Sequence, residues 1–307
     1  DSNRLVEEFM LLANFLVAQR LIQRAGGLAL LRRHPPPLKQ GLQNVVDIAK
    51  ASVGFDIDPT SSQTLQESLS RLGRQCDDEL VMQCVTELAM VPMKPAEYVA
   101  AGEVQEETWR HFALNIPYYT HFTSPIRRYA DVVVHRLLQA TIDGDDAVGA
   151  FDWDQKDVHG AAQHCNDMRM AAKRAQERSD RVFLSLFLKL RPAEGVMGIV
   201  LSVGEKTFTV FVPSLGLNAL VYTDEHKDEF DIGSHGAGSG KRYIVMKRKG
   251  GQVPGAEINP RGGRNGRQES QQIDIKVFTK LSVACRCRDG PPINVSVSVM
   301  GMWEEGA

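Results

Sequence analysis

The stretch His121-Phe-Thr-Ser-Pro-Ile-Arg-Arg-Tyr129, followed by Ala130-Asp-Val-Val-Val-His-Arg136, decides how this chain is read. Thr123 and Ser124 are good N-cap residues, and Pro125 suits the first helical position, where its missing N–H costs nothing. Ile126, Ala130, Val133, Val134 and Leu137 then recur at helical spacing, one buried stripe. Arg127 and Arg128 fall in the first turn, where the helix dipole disfavours cations. Two guanidiniums beside free backbone N–H groups make sense if an anion binds there, and a phosphate suits both. The local alternative is a surface turn in which Arg127 pairs with Asp131, four residues on.

Working outward, residues 4–24 read as a helix ended by Gly26-Gly27. Leu5, Phe9, Leu12 and Leu16 form its inner face, with Glu7, Glu8 and Asn14 as polar neighbours. Pro35-Pro-Pro37 opens a second helix through about Ser52, and further helical runs lie near 61–72 and 77–91. Asp77-Asp78-Glu79 suits the positive end of the last of these. Residues 96–122 hold few helix signals; Tyr98–Ala101 and Phe112–Ile116 read as short strands or extended pieces. After the helix that follows Pro125, the acidic turn Asp143-Gly-Asp-Asp146 leads to a long helical stretch over about 155–190.

From Gly195 the period changes to two. Segments 196–203, 207–212, 219–222, 243–246, 273–287 and 293–300 are strands joined by Gly/Pro turns. A small Greek-key barrel of five strands, the OB-fold, is the architecture expected from these short, turn-separated segments. Phe208 and Phe211 lie on opposite faces of one strand, so at most one can stack on a base and the other belongs to the core. Residues of about 249–272 are rich in Gly, Pro, Asn and Gln, an insertion with too little apolar surface to order itself. Lys241, Arg242, Lys247, Arg248 and Lys249, with Arg261, Arg264 and Arg267, make the one dense basic region, either a weak phosphate attractor or a solubilising loop.

With 307 residues and 43% hydrophobic content the chain can hold two cores, and its net charge of −2 provides no global basic field. Any binding of a polyanion must therefore use a local channel. Cys76, Cys84, Cys165, Cys285 and Cys287 contain no C-x-x-C pair, so reduced packed thiols fit better than zinc. No apolar run reaches the roughly 18 residues of a membrane span. The histidines at 111, 135, 159 and 164 read as packed or surface residues. His121 borders the arginine turn.

The nonapeptide 121–129 resembles the signature of the ribonuclease II (RNB) family of 3′→5′ exoribonucleases. Leu5–Asn14 resembles that family's channel helix and His164–Ala175 its last long helix. Leu31-Arg-Arg-His-Pro-Pro-Pro37 and Met93–Tyr98 resemble the eukaryotic Dis-three-like branch that degrades uridylated RNA. The resemblance implies an α+β chain: residues 1–192 as the mostly helical C-terminal part of an RNB domain, then residues 193–303 as the OB-fold RNA-binding domain. It implies hydrolysis of single-stranded RNA to nucleoside monophosphates in cytoplasmic RNA decay, with Arg127 as the catalytic residue. Arg128, Glu8, Asn14, Tyr119, His121, Thr123 and Ser124 are the implied RNA contacts. Either Glu7 or Glu8 could match the family position, Tyr119 could equally be a core aromatic, and Asn166 is read as a hydrogen-bond partner of the signature loop. Mg2+ is the implied cofactor, its four aspartates expected upstream of residue 1; Asp143–Asp146 and Asp77-Asp78 read as structural. The chain is expected to be a C-terminal piece, inactive alone, partnered by single-stranded RNA, with no membrane and no obligate protein partner. The rival reading is a non-catalytic RNA-binding module or scaffold.

Overall fold

The computed structural model describes residues 2–236, 241–249 and 272–304. In chain order its main elements are α1 (Ser2–Ala25), β1 (Leu30–Arg33), α2 (Lys39–Val53), α3 (Ser62–Gln75), α4 (Glu79–Met90) and β2 (Glu97–Ala100). There follow α5 (Tyr129–Asp143), α6 (Asp145–Gly149), α7 (Gln155–Leu190), β3 (Ala193–Val203), β4 (Thr207–Val212) and β5 (Leu217–Tyr222). The last are β6 (Phe230–His235), β7 (Tyr243–Arg248), β8 (Gln272–Ile275), β9 (Lys280–Arg288) and β10 (Asn294–Met302). The chain is a mixed α+β protein that divides into two compact units. One comprises Asp1–Gly41, Pro59–Gln66 and Pro92–Arg178; the other Leu42–Asp58, Glu67–Val91 and Ser179–Ala307.

In the first unit β1 and β2 pair antiparallel, with Leu30 opposite Ala100 and Arg32 opposite Tyr98. Leu30, Leu31 and Ala100 join Ala18 and Leu21 of α1, Val133, Val134 and Leu137 of α5, and Val158 and Ala162 of α7 in one core. Asn14, Ala18 and Leu21 are the buried positions of α1. Leu5, Phe9, Leu12 and Leu16, expected inside, are each at least half exposed. Polar and apolar residues are both spread round the helix, so periodicity alone could not say which side would be covered.

Helix α5 begins at Tyr129, not at Pro125, and Ile126, expected on the buried stripe, is 97% exposed. Residues 125–127 form a turn instead. Segment Phe112–Ile116 is likewise a turn, closed by a bridge between His111 and Ile116, and not a strand.

Among its described residues the second unit has eight antiparallel strands, where a barrel of five was expected. Five form a sheet in the order β10-β9-β3-β4-β5, and β6-β7-β8 form another. Both send side chains into one core, Phe208, Val210 and Val283 from the larger sheet and Phe230, Ile244 and Ile275 from the smaller. The segment 273–287, read as one strand, breaks at Phe278, whose φ of 67° lies in the left-handed region. There Phe278 N donates to Val200 O at 2.7 Å and Val200 N to Thr279 O at 3.0 Å, seating the break beside the bulge in β3. Strand β6 escaped the reading because its alternation is broken by Gly233 and it ends on the polar pair Ser234 and His235. At Gly198 a Cβ would lie 2.5 Å from a Val210 methyl, so close packing of β3 on β4 requires glycine.

Helix α4 packs on this sheet through Cys84, Leu80 and Leu88 against Ile199, Leu201 and Phe211. Asp78 caps it, accepting from Leu80 N at 3.1 Å and Val81 N at 3.2 Å. Its other oxygen meets Lys280 Nζ at 2.7 Å, which holds the Asp78 carboxyl below the usual carboxylate range. Phe208 and Phe211 are both buried, one in each core cluster, so neither is the stacking platform expected of one of them.

Candidate nucleic-acid site

The arginine turn is built around Asp131, which is fully buried in the first turn of α5. Arg128 donates to it twice, Nε to Oδ1 at 2.7 Å and Nη2 to Oδ2 at 2.8 Å. Ser124 N also donates to Oδ2 at 2.7 Å. The carboxylate at this turn, Asp131, pairs with Arg128 and not with Arg127. The turn is closed by Arg127 N and Arg128 N, both donating to Ser124 O at 3.3 and 3.2 Å. Arg127 is exposed, and among the described residues its guanidinium has no ion-pair partner.

A second fastening comes from α1. Asn14 is 2% exposed. Its Nδ2 donates to Tyr119 Oη at 2.8 Å and reaches Thr123 Oγ1 at 3.5 Å, while its Oδ1 accepts from Phe122 N at 2.9 Å. One buried amide thus holds both sides of the segment leading into the turn. Downstream, His135 stacks on Phe122 at 4.3 Å and bonds Phe122 O at 2.8 Å. On the strand side Arg32 N donates to Tyr119 O, and Thr120 Oγ1 to Leu30 O.

Tyr119 is 5% exposed, and its ring lies edge-on between His111 and His121 at 5.6 and 5.7 Å. Tyr98 Oη and His121 Nδ1 share a hydrogen bond of 2.7 Å. Burial, then the positive charges of Arg32 and Arg128, depress the His121 imidazolium to about 3. Burial and His34 depress His111 to about 4. Burial raises the Tyr98 and Tyr119 hydroxyls. The rings are a neutral, packed wall at physiological pH.

Beside them is a concavity of about 370 Å³ whose walls include Glu7, Met10, Asn14, Tyr119, Thr123 and Arg128. The structure thus brings Asn14, Tyr119, Thr123 and Arg128 to one place. Glu7 lines it and Glu8 does not; Glu8, His121, Ser124 and Arg127 are outside its walls. Asn166 clamps β2, its Oδ1 accepting from Tyr98 N at 2.8 Å and its Nδ2 donating to Tyr98 O at 2.9 Å, in place of the expected bond to the signature loop.

Among the described residues no group of three His, Cys, Asp or Glu side chains could hold a metal ion. Asp145 instead meets Arg24 at 3.6 Å in the turn after α5. In the second unit Arg242 pairs with Glu205 at 3.6 Å, and Arg248 lies over Phe230. Arg261, Arg264 and Arg267, and the insertion around them, lie outside the described residues.

Residues 1–144 match the RNB domain model. Together with the fold and the arginine turn, this defines the class: the chain belongs to the RNB family. Within it the chain is similar to DIS3-like exonuclease 2 of Caenorhabditis elegans, 36% identical over 75% of this chain and 27% of that protein. The chain spans about a quarter of the length of the curated relatives it matches. Its fold is similar to that of yeast Ssd1, described as a pseudonuclease, with TM-score 0.73, 20% identity, and coverage of 97% of this chain and 44% of that one. It is also similar to Mycoplasma genitalium RNase R in complex with ribose methylated single-stranded RNA, at TM-score 0.68 and 19% identity over 96% of this chain and 41% of that one.

Proposed function

We propose that this chain supplies the RNA-gripping part of a 3′→5′ exoribonuclease that degrades single-stranded, uridylated RNA to nucleoside monophosphates in the cytoplasm. The observation that carries the reading is Arg127. Its guanidinium is exposed at the end of a turn that Asp131, Arg128 and Asn14 hold from three sides. A turn fixed in this way presents a bidentate donor to a phosphate with little left to order on binding. In this reading Arg127 takes a backbone phosphate, Arg128 and Asn14 position the turn, and Glu7, Thr123 and Tyr119 border the strand's path. Uridine preference rests on the likeness to the Dis-three-like branch.

Mg2+ chemistry, where the family likeness puts bond cleavage, finds no fitting donor set among the described residues. A second reading, an RNA-binding scaffold without turnover, is supported by the likeness to an Arabidopsis thaliana relative named as an inactive exonuclease, 31% identical over 73% of this chain and 25% of that protein.

The test is to incubate the chain with 3′-labelled oligo(U) and Mg2+, with EDTA as the control. Binding without Mg2+-dependent release of monophosphates is expected. Release would overturn the view that further metal ligands are required. In a full-length parent, Arg127→Lys should lower turnover because a lysine lacks the planar fork; normal turnover at unchanged RNA affinity would remove the role given to Arg127.

A further inference from the structure

Arg32 and Arg33 are adjacent on β1 and point to opposite faces. Arg33 is fully engaged, with Nε on Glu97 Oε1 at 2.8 Å and Nη1 on Thr108 Oγ1 at 2.9 Å. Arg32 is not. It is 8% exposed, its Nη1 is buried with no hydrogen-bond partner, and its guanidinium carbon lies 4.7 Å from the Tyr98 ring centroid. Among the described residues no carboxylate is within ion-pair distance of it. The groups that bear on its charge are Tyr98, Arg169, Arg128 and Tyr119. The tyrosines are uncharged at neutral pH, and the other two are cations. Arg128 is already neutralised by Asp131, and Arg169 donates to the Ala96 carbonyl at 2.6 Å.

A buried guanidinium with an unsatisfied donor, facing further cations, is unfavourable in the unliganded protein. If the position served packing alone, an apolar side chain over Tyr98 would serve better. Charge of this kind is retained where an anion arrives to compensate it. From this geometry we infer that Arg32 is an anion-binding residue, and that the group it takes is a phosphate of the bound single strand. The inference rests on the RNA-binding reading above and extends it by a phosphate contact on the strand side of the site. Arg32 is a planar donor beside Tyr98 and Tyr119, and it sits one backbone hydrogen bond from the Tyr119 segment, through Arg32 N to Tyr119 O at 2.7 Å. Tyr119 is also a wall of the concavity.

The experiment compares the full chain with Arg32→Gln and Arg32→Lys. Affinity for a fluorescent oligo(U) is measured across a salt series, and melting is measured with and without inorganic phosphate. For single strands each phosphate contact contributes about 0.7 to the slope of log K against log salt concentration. Arg32→Gln is expected to weaken binding about tenfold and lower that slope by about 0.7, while melting at or above the parent temperature without ligand. Arg32→Lys is expected to keep the slope and lose affinity. An unchanged slope in Arg32→Gln, a lower melting temperature without ligand, failure to fold, or full affinity in Arg32→Lys would each overturn the assignment and leave Arg32 a packing cation. If the parent chain does not bind oligo(U), the RNA reading fails. The anion site then stands only if phosphate raises the melting temperature of the parent and not of Arg32→Gln, and it falls if neither responds.

Discussion

Arg128 and Asp131 are joined by two hydrogen bonds, Nε to Oδ1 at 2.7 Å and Nη2 to Oδ2 at 2.8 Å, around a carboxylate with no exposed surface. The same carboxylate takes Ser124 N, so one side chain neutralises the arginine and anchors the turn in front of α5. Removing the carboxylate charge leaves Arg128 without its counter-charge. Asp131→Asn is expected to destabilise the chain by about 3 kcal/mol in urea unfolding, the range for breaking a buried pair from one side. A loss below about 0.5 kcal/mol would show that the pair holds nothing together.

Arg127 stands in contrast to its neighbour. It is exposed, so Arg127→Ala should change stability by less than about 0.5 kcal/mol. In a full-length parent with turnover, the same substitution should reduce the rate about a hundredfold, the scale for removing one preorganised charge-stabilising donor. The two measurements separate a contact with RNA from a role in folding.

Asn14 reaches across more than a hundred residues to Tyr119 and Phe122. Asn14→Ala would strand the Phe122 N–H and the Tyr119 hydroxyl and should cost about 2 kcal/mol. It should also raise the Kd for oligo(U), since the turn would be less preorganised. Unfolding energy and titration together check this; an unchanged value in both would refute the fastening.

Burial holds His121 at about 3 and His111 at about 4 in the folded chain, against about 6.5 when unfolded. Between those values the unfolded state binds more protons, so stability is complete above about pH 6.5 and declines as pH falls through the window. Going from pH 7.5 to 5.5 should remove about 3 kcal/mol, and His121→Gln should flatten the decline. Denaturant midpoints at the two pH values provide the check, and a level profile would contradict it.

Phe211 packs on Cys84, Ile199 and Leu201 and has no free face for a base. Phe211→Ala should destabilise by about 3–5 kcal/mol. The salt dependence of RNA binding, measured where the variant is still folded, should not change.

Much of the fold was legible because its signals are local. The helical runs of α2, α3, α4 and α7 place those helices near their observed bounds, and the change to period two at Gly195 marks the start of the strands. The start of α5 was misplaced because Thr123, Ser124 and Pro125 have the composition of a helix cap, whereas Asp131 binds Ser124 N and Arg128 and holds 125–127 as a turn. In the candidate site, Asn14, Tyr119, Thr123 and Arg128 could be singled out from sequence. Arg32 could not, because its significance is a missing counter-charge, and nothing in the Leu-Leu-Arg-Arg run says which arginine will find a carboxylate.

The amino-acid sequence by itself determined most of the helices, the onset of the strands, the arginine-bearing segment and membership of the RNB family, since caps, periodicity and motif spacing act over a few residues. Only the tertiary structure decided which face of α1 is covered, that Arg128 is neutralised while Arg127 is exposed, that both Phe208 and Phe211 are interior, and that Arg32 is buried without a partner. Those outcomes depend on groups as far apart as Asn14 and Tyr119, and burial and charge compensation are properties of what surrounds a side chain after the chain has closed on itself.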